Sequence, residues 1–227
     1  LDRELQWDWR VGERLVEELI NYVADPERRA LVLGALEDAT AVLAPLKDSL
    51  PLQAIHGDLT DDNLVATAGE LGRPQLSGII DFGDVGTGWR IAELAVACTA
   101  VFHHDPARPL AVLPLIRAFD EVVHLTDAEV DALWSLIVLR GATLVVSGLQ
   151  QVAIDEGNDY AEEALEREWT IFAVPAGLDS RVATAAIRRA LGRNVVPGPG
   201  PGPGSASGGV TMLAAPLARG ARVVTLD

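Results

Sequence analysis

The stretch 53–65, QAIHGDLTDDNLV, decides how the rest of the chain is read. It sets one histidine, three aspartates and one asparagine between two apolar runs. A second stretch, SGIIDFGDVGTGW at 77–89, again ends an apolar run in acids. The intervening sequence gives the local structure. LQAIHGD is a short extended run, NLVAT reads as a strand, AGELGRPQ is rich in turn formers, and LSGIID reads as a second strand. Residues 63–81 are therefore expected to form a β-hairpin with a long loop, its acids at the strand ends.

Outward from this centre the patterns are helical. Residues 10–24 place Val11, Leu15, Leu19 and Val23 four apart, which predicts one amphipathic helix. DPERRALVLGALEDATAVLAPLK predicts another, with Asp25 as N-cap and Pro26 at the first helical position. WRIAELAVACTAVF is apolar on nearly all faces and is expected to be deeply buried. RPLAVLPLIRAFDEVV follows, and then TDAEVDALWSLIVLRGATLVVSGLQQVA opens on Thr126 with Glu129 three residues on, a capping box. NDYAEEALEREWTIFAV and DSRVATAAIRRALG are the last two expected helices, the final one capped by Asp179 or Ser180. VVPGPGPGPGSASGG at 195–209 alternates proline and glycine, which supports neither helix nor ladder and reads as a linker.

Composition limits the classes. At 227 residues and 49% hydrophobic content the chain can bury a sizeable core. Its apolar runs, such as 136–139 and 144–146, are interrupted by Arg140 and Ser147 and stop short of the ~20 residues a membrane helix needs. Net charge −15 argues against a nucleic-acid partner, whose phosphates call for Lys and Arg. The same acidity permits a cationic small substrate, or simply confers solubility. The single cysteine, Cys98, excludes an internal disulfide framework and is read as a buried, inert thiol in a cytoplasmic protein. The N-terminus is charged throughout and unlike a secretory signal. It lacks a starting Met, so the chain is read as a fragment.

The two acidic stretches fit phosphoryl transfer. That reaction needs a carboxylate to take the proton of an attacking hydroxyl and hard oxygen donors for Mg²⁺ on nucleotide phosphates. Protein kinases use an Asp and, five residues on, an Asn in one loop, plus an Asp in a following D-F-G. Here HGDLTDDN places Asp58 and Asn63 at that spacing, and IDFGD places Asp81 where the second metal ligand belongs. Either motif alone is weak; both in this order and separation form a specific signal.

With these residues the sequence resembles the aminoglycoside phosphotransferase/choline kinase-like family, whose signature is H-G-D-x-x-x-x-N followed by a strand ending in I-D-F/W. It is most similar to hydroxylysine kinase-like phosphotransferases and to phosphotransferase domains fused to aminotransferases. The likeness rests on IHGDLTDDNLV, SGIIDFGDVGTGWRIAELAVA and, more loosely, GNDYAEEALEREW, and covers about residues 5–192. It implies an α+β, mostly helical C-terminal lobe of a protein-kinase-like fold, with a small β-hairpin carrying the catalytic and metal loops. It also implies ATP and Mg²⁺ as cofactors. By the resemblance, Asp58 is the catalytic base, Asn63 and Asp81 bind the metal and nucleotide, and His56 and Glu93 support the loop. Asp61, Asp62 and Asp84 are candidate contacts for a substrate amine; Asp61 and Asp62 are more readily read as solvated turn residues. His103 and His104 read as a helix C-terminus rather than a metal pair, Trp134 and Trp169 as core, and Arg140 as needing a carboxylate partner if buried.

Two departures from the family matter. The β-rich N-terminal lobe, with its phosphate-binding lysine, is not found: Lys47 ends a helix just upstream of the catalytic strand. A chain lacking that lobe is expected to turn over ATP weakly or not at all by itself. Thr60 stands where protein kinases carry lysine, which favours a small-molecule acceptor. The expected organisation is a phosphotransferase C-lobe over 1–193, a linker over 194–209, and a tail or the start of a further domain over 210–227, with a downstream aminotransferase as one candidate. The reading is ATP-dependent O-phosphorylation of a small hydroxyl-bearing amine or amino acid of the hydroxylysine, homoserine, amino alcohol or aminoglycoside type. The rival is a non-catalytic, pseudokinase-like module tethered to another domain. A metal-dependent hydrolase is disfavoured, because no two-histidine metal pair is spaced for it and Asn63 would be left without a role.

Overall fold

A computed structural model describes residues 8–69, 73–155 and 159–195. In chain order these form α1 (Gly12–Leu19), α2 (Pro26–Leu43), β1 (Leu52–Ile55), β2 (Leu64–Ala68), β3 (Pro74–Ile79), β4 (Gly86–Trp89), α3 (Arg90–His104), α4 (Leu113–Val123), α5 (Asp127–Ile154), α6 (Asp159–Ala176) and α7 (Ser180–Ala190). The result is a mostly helical α+β fold with small antiparallel sheets. The expected linker beyond residue 195 and the segment 210–227 lie outside the described residues.

α5 is the axis. It packs against α1, α2, α3, α6 and α7. It is long and apolar enough to cross a membrane, yet 83% of its most apolar window is buried inside the fold, so it serves as the core helix. Its start is fixed by the expected capping box: Thr126 Oγ1 accepts from Glu129 N, and Glu129 accepts from Thr126 N. Glu129 is fully buried and has a second task. Arg90, the first residue of α3, grips it through Nε and Nη2 at 2.8 and 2.6 Å, tying the starts of two core helices together. Burial works to raise the Glu129 pKa, but the Arg90 and Thr126 hydrogen bonds outweigh it and hold the carboxyl below its usual range.

Glycines let α6 approach closely. A Cβ on Gly141 would lie 2.7 Å from Phe172 Cα, and one on Gly148 would lie 2.0 Å from Glu168 Oε2. They are seven residues apart, two helical turns, and so share a face of α5.

The N-terminal helix differs from expectation. It ends at Leu19 and passes through a 3₁₀ turn over Ile20–Tyr22, because Asp25 and Pro26 start α2 immediately afterwards. Leu19 and, just beyond the helix, Val23 are buried as expected, but in the first turns Gly12 and Val16 are buried where Val11 and Leu15 were expected, and those two are only partly buried. α2 likewise stops at Leu43, ahead of Pro45, and leaves Lys47 in a separate 3₁₀ turn. Asp25 caps α2 as read, accepting from Glu27 N and Arg28 N.

The expected hairpin is β2–β3, antiparallel from Leu64 opposite Ile79 to Ala68 opposite Pro74, with an irregularity between Val65 and Ala66. A second ribbon went unforeseen: β1 pairs antiparallel with β4, Leu52 opposite Trp89 and Ile55 opposite Gly86. The single expected hairpin is thus corrected to two ribbons. The second brings the residues before His56 beside those after Asp84, so both acidic loops emerge from one place.

Trp134 is fully buried and donates its indole N–H to Pro175 O at 3.2 Å. Trp169 is half-buried, packed edge-on to Phe172 and stacked under the Arg28 guanidinium. Cys98 is buried, and burial pushes its thiol pKa up, away from reactivity.

Candidate active site

The loop between β1 and β2 is held from beneath. Glu93, in the first turn of α3, accepts from His56 N at 2.5 Å and Gly57 N at 3.2 Å through one carboxylate oxygen. Gly57 has φ +86°, and a Cβ there would lie 2.9 Å from Asp84 O. The glycine of the H-G-D triplet is therefore required both by its left-handed backbone and by its close approach to the second loop. The His56 ring spans the two loops: Nε2 lies 2.9 Å from Ile80 O. A carbonyl only accepts, so Nε2 carries the proton. The ring also packs on Phe82, centroids 5.0 Å apart.

These contacts present Asp58 to a cleft of about 420 Å³. Its carboxylate is held from two sides. Asn63 Nδ2 donates to Asp58 Oδ2 at 3.0 Å and to Asp58 O at 2.7 Å. Arg140 Nη2, from the middle of α5, donates to Asp58 Oδ1 at 2.8 Å. Arg140 is itself buried. Burial pulls its guanidinium below the ordinary value, and the carboxylates of Asp58, Asp84, Glu168 and Glu93 act against that pull. The partner that Arg140 requires is thus the carboxylate read as the base.

The Asn63 amide nitrogen is committed to Asp58, so its amide oxygen is the side-chain atom that could face a cation. Ile80 N donates to Asn63 O at 3.1 Å, which ties the backbone just before Asp81 to this loop, but Asp81 itself is not among the residues lining the cleft. Asp81 adopts a left-handed conformation, φ 60° and ψ 68°, with Oδ1 accepting from Gly83 N at 3.3 Å. A non-glycine residue at positive φ carries a conformational cost that aspartate bears better than most. Among the described residues no three His, Cys, Asp or Glu side chains converge as a metal cage. An amide oxygen and a carboxylate are hard donors that suit Mg²⁺ held in part by phosphate and water, not a dedicated protein cage.

The acids around the loop divide. Asp84 and Asp62 line the cleft. Asp61 also lines it, but is no merely solvated turn residue: His104 Nε2 lies 2.6 Å from its Oδ2. Partial burial acts to raise the Asp61 pKa, and the hydrogen bond and charge of His104 outweigh it, holding the carboxyl below its usual range. His103 and His104 occupy the last turn of α3, as read. Asp62 is 78% exposed and faces Arg167 at 3.9 Å.

Sequence reasoning missed Arg167 and Glu168 as cleft residues and left the Arg140 partner open. All three lie on helices far along the chain, where only their charge within apolar or amphipathic patterns was a signal. Glu168 is the most perturbed carboxyl here: burial pushes it up to about 7, against the pull of Arg167 and Arg140.

A carboxylate held by an arginine and an amide thus opens to a small cleft, with an amide oxygen on the same loop and a further carboxylate on the next. Comparison with known proteins gives the family. Residues 1–122 match the model of the phosphotransferase enzyme family, APH, and the chain belongs to that family. Among its relatives, hydroxylysine kinase of Danio rerio is 31% identical over 60% of this chain and 38% of its own length. Hydroxylysine kinase of Xenopus laevis is 26% identical over 72% of this chain and 46% of its own. Homoserine kinase of Pseudomonas aeruginosa strain UCBPP-PA14 is 35% identical over 49% of this chain and 34% of its own. The chain therefore spans between a third and a half of the length of these relatives. No solved structure matches it significantly.

Proposed function

We propose that this chain supplies the catalytic side of an ATP-dependent O-phosphotransferase acting on a small hydroxyl-bearing amine or amino acid. The carrying observation is the state of Asp58, aimed into the cleft with Arg140 and Asn63 fixing both carboxylate oxygens. Partners on both oxygens hold the carboxylate in one orientation toward the cleft, which is the geometry a proton acceptor for a hydroxyl requires. Asp58 takes the hydroxyl proton as the acceptor oxygen bonds to the γ-phosphorus of ATP and the bond to the ADP oxygen breaks. Asn63 and Asp81 would hold Mg²⁺, which supplies charge neutralisation on the phosphates when bound. Glu93 and His56 position the loop rather than touch substrate. Ile80 and Phe82, on either side of Asp81, are both exposed.

Mg-ATP turnover by the full-length protein against hydroxy amino acids, amino alcohols and aminoglycosides tests this reading. Phosphate transfer to at least one hydroxyl acceptor, abolished when Mg²⁺ is chelated, is expected. Absence of transfer to every class would refute it.

A further inference from the structure

One helix holds the loop that carries Asp58 at two places. The first turn of α3 carries Glu93, whose carboxylate accepts from His56 N and Gly57 N, just before Asp58. The last residue of α3 is His104, and its Nε2 lies 2.6 Å from an oxygen of Asp61, just after Asp58. An ionised carboxylate only accepts, so Nε2 carries the proton of this bond. Asp61 opens the 3₁₀ turn Asp61–Asn63, and that turn delivers Asn63 to Asp58, with Nδ2 3.0 Å from Oδ2. At its start the turn has little else to fix it. Thr60 before it supplies no side-chain cap, and Asp62 within it is 78% exposed and meets Arg167 of α6 only at 3.9 Å. His104 is not among the residues lining the cleft, so it reaches the site through Asp61. α3 is in turn anchored at its own start, where Arg90 grips the buried Glu129 of α5.

Resting on the phosphotransfer reading, we propose that His104 is a positioning residue: by holding Asp61 it fixes the turn that sets Asn63 against Asp58, and α3 thereby braces the loop on both sides of the base. Asp61 is then committed to the fold and is no contact for a substrate amine. The side chains of the pair are 61% and 51% exposed, so the bond adds little to global stability. Its effect is local. Without it the first residue of the turn is free to shift, and a misplacement of ~1 Å at a catalytic group is enough to slow a reaction. A substrate contact made by Asp61 would not need His104, whereas a brace is lost equally from either end.

Steady-state Mg-ATP turnover and amide hydrogen exchange of the full-length protein test this. The variants are His104→Ala, Asp61→Ala, the two combined, and His104→Gln, whose amide nitrogen can stand in for Nε2. Each single alanine variant should lower kcat about fivefold, leave the acceptor KM within about twofold and melt with the parent. The double variant should be no slower than either single one, because both remove the same bond. His104→Gln should recover most of the loss. The Asn63 and Leu64 amides, bonded to Thr60 O and Asp61 O, should exchange about fivefold faster in the alanine variants, with those of β3 unchanged. A raised acceptor KM in Asp61→Ala alone, with His104→Ala at parent values, overturns the proposal in favour of a substrate contact. Multiplying losses in the double variant, or exchange at the parent rate, also overturn it. Parent-like kcat in His104→Ala sinks the brace and leaves phosphotransfer standing. A parent that transfers phosphate to no acceptor refutes phosphotransfer instead, and the exchange rates then decide by themselves whether His104 holds the turn.

Discussion

Arg140 and Asp58 are 82 residues apart in sequence and 2.8 Å apart in the fold. Arg140→Met should fill the space of the arginine stem while removing the charge that orients Asp58. Turnover is expected to fall about a hundredfold and stability by ~2 kcal/mol, less than for a fully buried pair because Asp58 is 32% exposed. Unchanged kcat in a folded variant would show that Asp58 needs no such partner. Glu168 gives a pH signature. Its carboxyl sits at about 7 when folded, against an ordinary value of 4.5, so the folded chain binds more protons than the unfolded one between those values. Stability from this group is full below about 4.5 and is lost as pH rises through about 7. Glu168→Gln should therefore melt close to the parent at pH 5 and higher than it at pH 8, by on the order of 2 kcal/mol. Equal melting temperatures at pH 8 would contradict the burial cost assigned to Glu168.

At the scale of elements, α5 and its two close approaches carry the packing. Gly141→Ala would push a Cβ to 2.7 Å from the Phe172 backbone, which a side-chain rotation cannot relieve. A loss of ~2 kcal/mol in denaturant unfolding is expected, and a neutral result would mean α6 can move away freely. Thr126→Ala removes one half of the capping box and should cost about 1 kcal/mol by the same measurement. Such local devices were legible in the sequence, because a cap, a proline or an Asp-to-Asn spacing acts over a few residues. The β2–β3 hairpin was legible for the same reason. The β1–β4 ribbon was not: GTGW shows no alternation of strand formers, and its partner Leu52–Ile55 lies across both acidic loops. The start of the α1 face was hidden because its buried residues there include Gly12, which no hydrophobic pattern counts.

At the scale of the molecule, the site combines two kinds of information. Asp58, Asn63 and Asp81 declare themselves by spacing within one short region, and the family match over residues 1–122 agrees with that region's chemistry. The far wall of the cleft comes from α3, α5 and α6, whose contributions His103, Arg140, Arg167 and Glu168 have no common spacing and become neighbours only through helix packing. The family was thus readable from the loops, whereas the far wall of the cleft is made by residues that only the fold assembles. The central claim is that Asp58 is the proton acceptor, and steady-state Mg-ATP turnover of the full-length protein compared with Asp58→Asn tests it most directly. The asparagine keeps an oxygen for Arg140, so an unchanged melting temperature with turnover reduced about a hundredfold or more is predicted; turnover within a few-fold of the parent in the folded variant would contradict it.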